Sequence, residues 1–202
     1  MAAKLTLNKS TINLIRAKAF NEKKVKRDFR VLIERQFRSA HKKLMSAFDG
    51  HSVTQELKQG PSGNNVTGTL KDGNLFGFIG FDSNYRPIAP LRKALSQANI
   101  LIHKSNRKTF SHTFRVHMPT IEELYEITPL PWATGSSWLY ALERKGLSNL
   151  GQYVFKESSN SRSGAGVQTN STGGGILKIP YLIPMFKEFE RDVGSIAGFK
   201  IK

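Results

Sequence analysis

Apolar residues recur at steps of three and four from about Asn21 to Phe48, where Val25, Phe29, Leu32, Ile33, Phe37, Ala40, Leu44, Ala47 and Phe48 form one stripe. This spacing predicts a helix roughly 42 Å long, with Gly50 as its stop. Residues 1–20 keep no clean period, although Leu5, Leu7, Ile12, Leu14, Ile15 and Phe20 offer anchors, so they read as an arm that docks elsewhere. Ser52 to Gln59 is a short helix candidate with Ser52 and Gln55 at capping-box spacing, and Gly60-Pro61 ends it. Beyond it the pattern changes. Val66 to Leu70 and Leu75 to Phe81 are β-prone runs around Lys71-Asp72-Gly73-Asn74, which predicts a β-hairpin. The second run is apolar on both faces, with Phe76 and Phe78 on one and Leu75, Ile79 and Phe81 on the other. It therefore reads either as a central core strand or as a strand that pairs with a neighbouring subunit.

The rest of the chain alternates short elements. Leu91 to Ala98 fits two helical turns, and Asn99–His103 and Lys108–Met118 read as paired strands. In the longer strand Phe110, His112, Phe114, Val116 and Met118 share a face, the mark of a half-buried antiparallel strand. Thr120 and Glu123 have capping-box spacing ahead of Ile121, Leu124 and Ile127. After the rigid turn Thr128–Gly135, the segment 136–145 suits a helix with Trp138, Leu139 and Leu142 inward, with a strand as the alternative. A strand candidate covers Gln152–Lys156. The Ser/Asn/Gly-rich run 157–175 cannot support a packed core and is expected to be a flexible loop. Ile176–Ile179 and a helix from about Pro184 to Val193 close the chain.

These elements predict an α+β fold: a long N-terminal helix packed on a small, mainly antiparallel sheet, with short helices and a long flexible loop. The domain reading is an arm at 1–20 and one domain at 21–202, a length sufficient for a real core.

Charge adds a direction to this picture. The chain carries a formal +16, and residues 1–48 hold thirteen Lys/Arg against three acids. At 100° per residue Lys24, Arg27, Arg35, Arg38 and Lys42 align opposite the apolar stripe, a row suited to phosphates or an acidic protein surface. A merely solvated helix face would look similar. No aromatic side chain interleaves with the row to stack bases, which disfavours single-strand recognition.

Candidate chemistry is sparse. There is no cysteine, so disulfides and thiolate sites are excluded. His112 and His117 are five apart on a strand and point to opposite faces, which is no metal-ligand spacing. No GxSxG elbow, phosphate-cradling glycine loop or acid/base carboxylate pair stands in the sequence. No apolar run approaches the roughly 18 residues of a membrane span. The expectation is a protein that is not an enzyme, with no cofactor, no metal and no membrane.

Three segments in order carry a resemblance: HSVTQELKQGPSGNNVTGTLKDGNLFGFIGF (His51–Phe81), PLPWATGSSWLYALERKGLSNLGQYVF (Pro129–Phe155) and SRSGAGVQ (Ser161–Gln168). Together they resemble tailed-bacteriophage virion structural proteins of the neck or tail-completion type, the head–tail connectors. The resemblance implies a non-enzymatic subunit of a homo-oligomeric ring in the virion, assembled in the host cytoplasm. Its neighbours would be portal or adaptor, tail terminator, and tail tube or sheath proteins, with packaged DNA close by. Candidate subunit contacts are Phe76, Phe78, Phe81, Trp132, Trp138 and Arg162. The alternative reading is a basic nucleic-acid-binding protein that uses the 24–42 helix face.

Overall fold

A computed structural model describes residues 9–70, 73–106, 111–131, 133–146, 153–154, 167–168 and 178–194. The fold is α+β, as expected. The predicted long helix is α2, Lys23–Gly50. Ahead of it stands a separate helix α1, Lys9–Asn21, where an aperiodic arm was expected. Glu22, in an extended conformation, breaks the two apart.

From Ile33 onward α2 is buried on one side through Ile33, Phe37, Ala40, Leu44 and Phe48, the last four within the main core cluster. Its main partner is the last helix, α8, Leu182–Gly194, which packs Met185, Phe189 and Val193 inward. Phe37 and Phe189 meet edge to face at 6.0 Å, and Lys43 bridges to Asp192 at 2.9 Å. Helix α3, Ser52–Gln59, follows as predicted, but its cap is His51 rather than Ser52: Val53 N–H donates to His51 Nδ1. The core is completed by α4, Leu75–Ile79, α5, Ile88–Ser96, and Leu124 of α6, Ile121–Glu126. Arg92 of α5 grips Asp49 at the end of α2 with two 3.0 Å hydrogen bonds.

The segment Leu75–Phe81 is the main departure from the sequence reading. It is a buried helical turn, not a strand, and Val66–Leu70 forms no strand against it. Two buried polar residues explain the outcome. Asn74 caps α4 by accepting from Gly77 N–H, while its amide donates to the carbonyls of Gly60, Pro61 and Gly63. Glu56 of α3 is fully buried and accepts from Leu75 N–H and Thr67 N–H. These side chains satisfy the backbone groups that a hairpin ladder would otherwise have paired. At the far end Gly80 adopts a left-handed conformation, φ 85°, and ends the turn.

The sheet is small and split among two-stranded pieces. Strands β1, Asn99–Asn106, and β2, Ser111–His117, pair antiparallel with Ile100 opposite Val116 and Ile102 opposite Phe114. Phe114 is buried and stacks obliquely on Phe29 of α2 at 5.8 Å, so this hairpin leans against the N-terminal part of the long helix. Strands β3, Pro129–Leu130, and β4, Ala133–Ser137, form a second pair. Helix α7, Trp138–Tyr140, runs on as a π-helical turn, Ala141–Lys145, so the helix reading of 136–145 holds from Trp138 onward. The third pair is β5, Tyr153–Val154, with β6, Val167–Gln168. Val167 and Gln168 are therefore strand, while the rest of the run expected to be a flexible loop lies outside the described residues.

Candidate functional surface

The five basic residues singled out in the sequence are all exposed on α2 and share the side opposite Ile33, Phe37, Ala40, Leu44 and Phe48. The helix produces this arrangement because the buried face fixes its rotation, leaving the opposite azimuth to solvent. The row is not uniformly available. Arg38 reaches Glu34 at 3.4 Å, and Arg30 binds the same carboxylate at 2.7 Å. The Arg30 hydrogen bond holds the Glu34 carboxyl below its usual range. Arg27 lies 3.6 Å from Asp28. Lys24, Arg35 and Lys42 make no ion pair among the described residues.

Ahead of Ile33, α2 buries no side chain and projects past the main core cluster, touching the β1–β2 hairpin through Phe29. Val25, Val31 and Leu32 are 43%, 57% and 57% exposed, although the period placed Val25 and Leu32 in the buried stripe. A helical period reports which side is apolar but not where the core stops. Leu14 and Ile15 of α1 are exposed as well.

The proposed contact aromatics sit elsewhere. Phe76, Phe81 and Trp138 are fully buried within the single chain, and Phe78 is half-buried against the same core. Phe81 meets Phe76 at 5.3 Å and the Trp138 ring edge-on at 6.0 Å. Phe76, Phe81 and Trp138 hold the subunit together and present no surface to another, whereas Phe78 keeps part of its ring at the surface. Trp132 and Arg162 lie outside the described residues.

A groove of about 680 Å³ opens beside α6 and the β3–β4 pair, lined by Tyr125, Leu130, Ala133, Tyr140 and Ala141 with Glu126 and Lys145. Sequence reasoning missed it because its wall is assembled from α6, β3, β4, α7 and the π-helical turn together. Among the described residues no cluster of His, Asp or Glu could hold a metal ion, and no helix is long and apolar enough to cross a membrane.

The surface so defined belongs to an α+β protein whose basic, partly apolar helix extends beyond its own core. Comparison with known families, with curated proteins and with solved structures finds no match.

Proposed function

We propose that the chain is a non-enzymatic structural subunit of a tailed-phage virion, forming a ring at the neck or head–tail interface as a tail-completion or connector protein. The observation that carries the assembly part is the projecting half of α2, where Val25, Val31 and Leu32 remain exposed on a strongly basic helix. Apolar side chains held out on a long helix are covered when other chains pack against it. The order of the three motif segments within 51–168 supports the virion part. Native mass measurement tests the proposal, on the purified chain and on the particle from which it comes. A fixed ring multiplicity in the particle is the expected result, and absence of the chain from any particle would refute it.

A second reading rests on Lys24, Arg35 and Lys42, exposed and without an ion pair among the described residues: the same helix face binds duplex nucleic acid. Binding would then fall steeply with salt as counterions are displaced. Reversal of Arg27, Arg35 and Arg38 to Glu would abolish it. Retention on duplex DNA after that reversal would exclude this face.

A further inference from the structure

In this basic chain the longest stretch free of Lys and Arg runs from Val116 to Glu143 and contains four acids. Glu122, Glu123 and Glu126 are exposed on α6 beside the groove, which Tyr140, 47% exposed, also lines; these three acids outnumber the two basic side chains at its other end, Lys145 in the lining and its exposed neighbour Arg144. The opposite character marks residues 9–32, which hold eight Lys/Arg against two acids. There Leu14, Ile15, Val25 and Leu32 are exposed. Val25 and Leu32 stand two turns apart on one side of α2, flanked by Lys24 and Arg35.

From this complementarity we propose that the α1–α2 arm of one copy seats its apolar side chains in the groove of a second copy, with its lysines and arginines facing the α6 glutamates. The occupant is another copy because the acidic and apolar counterpart of the arm is already present on the chain. Arm-to-arm pairing is disfavoured, since it would bring like charges together. A groove of about 680 Å³ falls within the roughly 300–1,000 Å³ of sites that enclose a drug-sized ligand, room for a few side chains. Two different surfaces meet, so the contact is heterologous and its repetition either closes a ring or runs on as an open chain. The closed form rests on the ring reading above, whereas the contact itself does not.

The absence of native cysteine makes the test clean. Chains carrying Leu32→Cys are mixed with chains carrying Tyr140→Cys at low salt and oxidised, and each variant is also oxidised alone. The expected product is a disulfide dimer that forms only in the mixture. Adding Glu122→Lys and Glu126→Lys to the Tyr140→Cys chain should lower its yield by about tenfold or more. Adding Lys24→Glu and Arg35→Glu to the partner should restore it. In a chain carrying both cysteines, a closed product of fixed mass supports arm-in-groove contact within a ring. An open ladder supports the contact and counts against the ring. No link at millimolar protein, or none in an assembly that native mass shows to have fixed multiplicity, overturns the arm-in-groove contact and leaves the ring reading standing.

Discussion

Asn74 concentrates four hydrogen bonds in one fully buried side chain. Asn74→Ala would strand the cap of α4 and buried carbonyls together, so urea unfolding should show a loss of about 2–4 kcal/mol. Two titratable groups should act on stability with opposite signs. Glu143 is buried; its Oε1 accepts from Tyr181 and Ile183 N–H at 3.1 and 2.9 Å, while its Oε2 has no partner. Burial raises its pKa above 4.5 despite those donors. Its stabilising contribution is therefore full below pH 4.5 and is lost as pH rises through the folded-state value. Glu143→Gln should unfold at higher urea than the parent at pH 7, with the difference vanishing below pH 4.5. His51 runs the other way. Its Nδ1 must stay unprotonated to cap α3, its ring lies 4.9 Å from that of Tyr181, and burial lowers its pKa from 6.5 against an opposing bond to the Pro180 backbone. Its contribution is present above pH 6.5 and is lost as pH falls through the folded value. His51→Asn, which keeps a cap acceptor, should flatten the decline in stability below pH 6.5.

Helix α2 is one element by hydrogen bonding and two by packing. Leu44, 3% exposed, is locked between α2 and the core, so Leu44→Ala should cost about 2–5 kcal/mol. Leu32→Ala, three turns earlier, should change stability by less than about 0.5 kcal/mol. Equal costs at the two positions in urea unfolding would mean that the projecting half is part of the core. This division marks what the sequence could reveal. The extent of α2 and the Thr120–Glu123 capping box were legible because hydrogen bonds and apolar period within an element are local, and both reciprocal bonds of that box are present. The α4 turn was not. Leu75–Phe81 is apolar on every side, and a fully buried strand and a fully buried helical turn share that pattern. What decides between them is Glu56, nineteen residues before Leu75, together with the Asn74 cap. The choice between core and contact for the large aromatics stayed open for the same reason. Trp138 has the composition of an interface residue as well as of a core residue, and only the tertiary packing shows that it is enclosed by its own chain.

For the whole molecule, core and charge are spatially separated along the chain. The buried side chains of α2 begin only at Ile33, whereas residues 1–27 contain eight of the thirty-one Lys/Arg and one of the fifteen acids. A chain beginning at Asp28 keeps the Phe29–Phe114 contact and every buried residue of α2. It should unfold cooperatively, within about 1 kcal/mol of the full chain, since it loses few buried contacts and some self-repulsion among like charges. The same truncation should abolish arm-dependent association and weaken any binding to polyanions, because it removes the apolar residues before Asp28 and much of the positive charge together. Urea unfolding and native mass of the truncated chain measure the two effects separately. Cooperative unfolding with lost association would assign the arm to contacts between molecules. A broad, non-cooperative transition would instead make α1 and the start of α2 part of the subunit's own fold, and the exposure of Val25 and Leu14 would then need covering from within the chain.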